Sequence, residues 1–213
     1  MKKFYADIVD PKIEKYISDL YENNNDVFAE MEAYADENQI PIIGPLAGKF
    51  LSQICLIKRP GNIFELGSGF GYSALWFAKS LGSDATITCS DYSLENSELA
   101  KSYFKKDNEL EKLNFFVGNS LEILKNTDVK YDMIFNDIDK EYYPEVIEIV
   151  YEKLNSGGIF ISDNVLWYGR VVEDDNLPST KGIKKFNNLL FSHKGFNSTL
   201  IPLRDGISIS VKV

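Results

Sequence analysis

The sequence predicts an α/β fold: a mostly parallel sheet with helices on both faces and an antiparallel strand at its end. Three observations predict it. From Asn62 onward, short apolar runs alternate with segments of helical period, which is the signature of strand–helix–strand units. A glycine turn, Gly67-Ser68-Gly69-Phe70-Gly71, follows the first of these runs and opens a helix, as ligand-binding turns of such folds do. Near the end, an Asp205-Gly206 pair separates two β-rich runs, a hairpin signal.

In chain order, Ile8, Val9, Ile13, Tyr16, Ile17 and Leu20-Tyr21 recur at helical spacing over 9–22. Asn23-Asn24-Asn25 breaks that helix, and Asp26 is placed to cap a second over 27–37. Ile40-Pro41-Ile42-Ile43-Gly44-Pro45 reads as a rigid extended connection. A third helix runs over 47–57 and stops at Arg59-Pro60-Gly61. Residues 1–60 thus read as a helical cover, and 61–213 as the α/β core of the same single domain. Strands are expected at 62–66, 85–90, 113–117, 131–136 and 159–162. Helices are expected at 71–81, 94–105, 120–125, 143–154 and 180–191. The hairpin pairs 196–202 with 207–213.

Composition narrows the function. The 213 residues, 44% hydrophobic with 14 Phe and 12 Tyr, suffice for one domain with a sizeable core. A net charge of −9 argues against nucleic acid or an anionic membrane as partner. No apolar run approaches the ~20 residues of a membrane span, and Met1 to Asp7 carries no apolar signal core, so a cytoplasmic protein is expected. Cys55 and Cys89 lie in apolar segments and read as buried free thiols. With His193 as the single histidine, a usual zinc site is excluded; His193 itself reads as a helix cap.

The glycine turn is Gly-x-Gly-x-Gly, not the Gly-x-Gly-x-x-Gly of dinucleotide folds. Glu65 precedes it at the strand end, where a carboxylate would repel a pyrophosphate and suits a cationic ligand. Asp91 stands 26 residues after Glu65, closing the apolar run Ala85–Ser90; an acid at a second strand tip can accept both hydroxyls of a ribose. Together they point to S-adenosylmethionine, although a glycine run alone could be a plain tight turn.

A second constellation lies later. Asp137-Ile138-Asp139-Lys140 follows the strand Tyr131–Asn136, and Asp163-Asn164 follows Ile159–Ser162. Adjacent parallel strands deliver their following residues to one rim, so Asp137, Asp163 and Asn164 could meet. Two carboxylates and an amide suit Mg²⁺, Mn²⁺ or Ca²⁺; as helix and loop caps they would need no ion.

Glu65-Leu66-Gly67 with Gly71-Tyr72-Ser73, the run Phe135 to Tyr143, the run Asp163 to Val171, and Pro202-Leu203-Arg204-Asp205-Gly206 resemble the cation-dependent O-methyltransferases, the family of catechol and caffeoyl-CoA O-methyltransferases. The resemblance runs from about Ile40 to the C-terminus. It implies a class I methyltransferase fold, Rossmann-like and seven-stranded, with the final strand antiparallel and inserted beside its neighbour. It implies a metal held by Asp137, Asp163 and Asn164, with Mg²⁺ favoured, and Lys140 as general base, its pKa lowered by desolvation or the metal. It implies a cofactor pocket of Ile43, Glu65, Gly67, Ser73, Asp91, Asn119, Ser120, Asp137 and Asp139. The acceptor would be a small hydroxylated aromatic, and the enzyme a homodimer. Three positions depart from the family: Gly69 replaces a bulkier residue, Asn119 a frequent acid, and Tyr168 a small polar residue of the plant enzymes. Lys140 could instead be a surface lysine and Trp167 a packing residue. The rival readings are a dinucleotide-dependent oxidoreductase and a non-catalytic adenosylmethionine-binding protein.

Overall fold

The computed structural model describes residues 8–21 and 26–213; the break expected at Asn23–Asn25 and the residues Met1 to Asp7 lie outside them. Three helices come first: α1 (Pro11–Asp19), α2 (Asp26–Asn38) and α3 (Gly44–Lys58). The alternation follows as β1 (Asn62–Leu66), α4 (Tyr72–Ser80), β2 (Thr86–Asp91), α5 (Leu94–Lys106), β3 (Leu113–Val117), α6 (Ser120–Asn126), β4 (Tyr131–Asn136), α7 (Tyr143–Lys153) and β5 (Leu154–Ser162). Then come α8 (Pro178–Ser192), β6 (Phe196–Ile201) and β7 (Ile207–Lys212).

The sheet has seven strands in the order β3-β2-β1-β4-β5-β7-β6. β3, β2, β1, β4 and β5 run parallel, and β7 pairs antiparallel with both β5 and β6. The expected topology is therefore present, with β7 inserted beside β5.

Each face of the sheet carries its own apolar core. On one face α2, α3 and α4 contribute Phe28, Met31, Leu51, Leu75 and Phe77. On the other, α7 and α8 contribute Tyr143, Val146, Ile147, Ile183 and Phe186. Strands buried on both sides need continuous apolar runs, as in β1, where Ile63, Phe64 and Leu66 are fully buried. α1 differs: it buries no residue, and Tyr16 and Leu20 are exposed.

Three departures from expectation stand out. α3 begins at Gly44, not 47: Pro45 occupies its first turn, where a missing N–H costs nothing and the fixed φ is already helical. β5 begins at Leu154, not 159. Gly157-Gly158 breaks the apolar run, and the strand passes through an irregularity in its register with β4 there, with Gly157 at φ +69 and its carbonyl accepting from Lys58 Nζ. Third, Trp167–Val172 forms a 3-10 segment kinked through left-handed Tyr168 and Gly169, without a local signature. His193 does cap α8, its Nδ1 accepting from the Gly195 N–H at 3.1 Å, and Cys55 and Cys89 are buried free thiols. Among the described residues no helix is long and apolar enough to cross a membrane.

Candidate active site

The C-terminal ends of β1, β2 and β3 form one half of a rim. The turn after β1 has all three glycines at positive φ, but for different reasons. A Cβ on Gly67 would lie 2.6 Å from the Asp137 carbonyl oxygen, and one on Gly71 would lie 2.9 Å from Ala100 Cβ. Those two glycines therefore allow chain to pack on chain. A Cβ on Gly69 would meet nothing within 4 Å, so Gly69 alone of the three has open space beside its backbone.

Asp91 holds this turn in place. Its Oδ2 accepts from the Gly69 N–H at 3.1 Å, and its Oδ1 accepts from the Ser93 N–H and Asn96 Nδ2, each at 2.9 Å. Glu65 is fully buried beneath the turn, where Ser73 Oγ and Cys89 Sγ donate to its two oxygens. Burial pushes its carboxyl up to about 7, against the pull of its hydrogen bonds. Glu65, expected from the sequence to face a cationic ligand, accepts from Ser73 beneath the turn. Ser120 Oγ donates to the Ser90 carbonyl, and Asn119 Oδ1 caps α6 by accepting from the Leu121 and Glu122 N–H groups. Asn119 is exposed, so its amide nitrogen remains on the surface of the rim. Ile43 is buried in the apolar core below α3, and Asp139 is exposed at the start of a 3-10 turn over Lys140–Tyr142.

The other half of the rim follows β4 and β5. Register pairs Asn136 with Ser162, so Asp137 and Asp163 are the next residues on adjacent strands, and the Asp163 N–H donates to the Asn136 carbonyl at 3.1 Å. The structure thus brings Asp137, Asp163 and Asn164 together. Asn164 takes a left-handed φ of +56, which Asn tolerates better than most residues.

Lys140 is not a surface lysine: its side chain is 10% exposed, and its Nζ lies 2.5 Å from Asp137 Oδ1 and 3.1 Å from the Ile138 carbonyl. Burial favours the neutral amine, but Tyr143 and the Asp137 carboxylate outweigh it and raise the pKa. The lowered pKa expected of a base is absent from this arrangement because the ion pair holds the proton. Tyr143, fully buried, donates to the Asp163 carbonyl at 3.0 Å.

Asp163 is 2% exposed, and its Oδ1 has no hydrogen-bond partner among the described residues. Burial, and then the charge of Asp137, push its carboxyl up to about 7. Buried polar atoms are seldom left unpaired, so this oxygen is one a ligand could satisfy. Asn136 Oδ1, Trp167 Nε1 and Asp205 Oδ2 share its condition.

Sequence reasoning assigned no role to two residues here, Arg204 and Asp205. They sit at the tip of the β6–β7 hairpin, which the antiparallel insertion of β7 brings to the ends of β4 and β5. Arg204 Nη1 lies 3.8 Å from Asp163 Oδ2. Asp205, 6% exposed, accepts from the Leu166 N–H through its carbonyl and from the Tyr168 N–H through Oδ1. The signal was present as the run Leu203 to Gly206, but it reads locally as a turn. Trp167 packs as a partly buried member of the α7–α8 core, its ring 5.9 Å from Lys140 Nζ.

A family model described as O-methyltransferase matches residues 21–213, so the likeness reaches back beyond Ile40 to include α2. A catechol O-methyltransferase of Niastella koreensis is 25% identical over 93% of this chain and 96% of its own. Caffeoyl-CoA O-methyltransferase 1 of Arabidopsis thaliana is 30% identical over 78% of this chain and 69% of its own. Among solved structures, the O-methyltransferase of Bacillus cereus in complex with SAH superposes with a TM-score of 0.87 at 25% identity, covering 95% of this chain and 97% of that one. With the two-sided rim, the antiparallel seventh strand and a family match over nearly the whole length, the chain belongs to the O-methyltransferase family.

Proposed function

We propose that the chain transfers the methyl group of S-adenosylmethionine to a hydroxyl of a small catechol-like or phenolic acceptor. A divalent cation, Mg²⁺ before Mn²⁺ or Ca²⁺, is held by Asp137, Asp163 and Asn164. The observation that carries this reading is Asp163: a buried carboxylate with an unpartnered oxygen beside a second carboxylate, an arrangement that a cation stabilises. The donor set fits a hard ion, being all oxygen. Among the described residues no three His, Cys, Asp or Glu side chains gather to hold a metal; on this reading the third oxygen is that of the Asn164 amide.

The cation supplies Lewis acidity that lowers the pKa of a phenol from near 10 and orients vicinal oxygens. The chain's residues do the rest. Gly69 leaves the turn open for the cofactor, and Asp91 keeps one lone-pair site, on Oδ2 beside its bond to the Gly69 N–H, for a ribose hydroxyl. The Asn119 amide nitrogen, left free by the capping bonds of its Oδ1, would serve the adenine end. Lys140 can accept the acceptor's proton only as a free amine, so that role requires the Asp137 charge to be turned to another cation. Bound S-adenosylmethionine would supply an electrophilic methyl carbon: the acceptor oxygen would bond it as the carbon–sulfur bond breaks and its electron pair stays on sulfur. Holding oxygen, carbon and sulfur in line accounts for much of the rate.

On this reading the chain is one methyltransferase domain, with residues 1–60 as cover, working in the cytoplasm. It forms a homodimer through apolar surface such as Tyr16 of α1 and Leu20 at its C-cap, and a monomer by light scattering at micromolar concentration overturns that point. The main test is calorimetry with S-adenosylmethionine and with NAD, followed by turnover of a diphenol in Mg²⁺ and in EDTA. Binding of the former only, with turnover lost in EDTA, is the expected result. NAD binding, or full turnover in EDTA, overturns the reading.

A further inference from the structure

Arg204 holds a conformation that its residue type disfavours. Its φ is +50, a region non-glycine residues avoid. The turn is pinned from several sides: Gly206 N–H donates to the Leu203 carbonyl, Val165 N–H to the Gly206 carbonyl, and Leu166 N–H to the Asp205 carbonyl. The hairpin tip is therefore fastened to the segment that carries Asp163 and Asn164, and the side chain leaves it in a set direction. Its guanidinium lies between Asp163 Oδ2, 3.8 Å from Nη1, and the Ile42 carbonyl, 3.2 Å from Nη2. An arginine has five N–H donors; the Ile42 carbonyl is its one hydrogen-bond acceptor among the described residues.

The same side chain, 29% exposed, lines a cavity of about 290 Å³ whose other walls are the start of α3 (Gly44, Pro45, Leu46) and one side of α1. Two further charged groups face this space from α1, Glu14 and Lys15. They are neighbours of opposite sign, and Lys15 is engaged by Asp19 at 2.7 Å. Arg204 is thus the cation that both lines this cavity and lies beside Asp163. A guanidinium with spare donors in a fork geometry matches a carboxylate in two-point contact.

We infer that Arg204 is a specificity-determining residue that selects acceptors bearing a carboxylate on the same aromatic ring as the reacting hydroxyls; this rests on the methyl-transfer reading above. The distance sets the class. With Nη1 only 3.8 Å from Asp163 Oδ2, an anion held on the other edge of this planar group would lie about one aromatic ring from that carboxylate. A dihydroxybenzoate places its charge there, whereas a charge carried on a long flexible tail does not need Arg204.

The test is calorimetry in the presence of SAH and Mg²⁺ with two probes of matched diol, 3,4-dihydroxybenzoate and 4-methylcatechol. The wild-type protein should bind the benzoate at least about tenfold more tightly, the size of one charge-assisted contact. Arg204→Gln should bring the ratio of the two dissociation constants close to one. Arg204→Lys, which keeps the charge but loses the fork, should leave an intermediate ratio, and it decides the matter should Arg204→Gln fail to fold. A wild-type ratio near one, or a ratio unchanged in the variants, overturns the inference while leaving methyl transfer standing. Binding of SAH with no binding of either diphenol overturns the phenolic-acceptor reading itself, and this inference with it.

Discussion

The two halves of the rim differ in how far the chain satisfies its own polar groups. After β1, β2 and β3, each polar side chain at the turn has a partner: Glu65 has Ser73 and Cys89, Asp91 has three donors, and Ser120 and Asn119 are engaged. After β4 and β5, buried atoms of Asn136, Asp163, Trp167, Arg204 and Asp205 have none among the described residues. The first half is a preorganised cradle whose shape exists without a ligand. The second stores electrostatic cost in unmatched groups, which is how a site comes to favour binding a charge.

The largest effect that would break this contrast is expected at Asp163. Asp163→Asn should lower turnover of a diphenol by at least ~100-fold in Mg²⁺, since even outer-shell partners of a metal site are worth 10–100-fold. Its affinity for SAH in calorimetry should barely move, because the cofactor cradle is the other half. Loss of SAH binding in this variant would show the two halves to be one unit.

Next in size are the glycines. Gly67→Ala forces a left-handed alanine and a 2.6 Å approach to the Asp137 carbonyl, and should cost about 2–4 kcal/mol of stability in denaturant unfolding. Gly69→Ala meets open space and should cost only about 1 kcal/mol on folding while weakening SAH binding. Equal destabilisation by both would mean that Gly69 is also there for packing. Asp91→Ala should weaken S-adenosylmethionine binding by about 1–3 kcal/mol through lost charge-assisted hydrogen bonds; unchanged affinity would make Asp91 a turn brace alone.

The last effect, small only per unit of pH, is a pH slope. Glu65 has a folded pKa near 7, raised by burial from 4.5. The folded state therefore keeps a proton that the unfolded chain has lost, so its contribution to stability is full below pH 4.5 and fades as pH rises through 7. Between those values, stability should fall by at most about 1.4 kcal/mol per pH unit from this group. Glu65→Gln, read by thermal unfolding across that range, should remove this part of the slope; an unaltered slope would place its origin in the other half of the rim.

Much of this was legible before folding was considered. The β1 run and its glycine turn declare a strand, a bend and a helix within a dozen residues, because strand and helix periods are local properties. Asp137, Asp163 and Asn164 could be expected to meet because parallel neighbours end on one rim. Less legible were features that depend on contacts distant in sequence. α3 hid its first turn behind Pro45, and β5 its first half behind Gly157-Gly158, since the same residues punctuate and permit structure.

By itself, then, the sequence determined the alternating α/β core, the antiparallel hairpin and the residue types at the strand ends, because each follows from a pattern a few residues long. The tertiary structure alone decided what those residues face. Inserting β7 beside β5 carried Arg204 and Asp205 to Asp163, and Lys140 met Asp137 in a pair that holds its proton. Gly67 and Gly71 were assigned to packing and Gly69 to open space. Those outcomes depend on distances and on burial, and both are set by strand order and packing across the whole sheet.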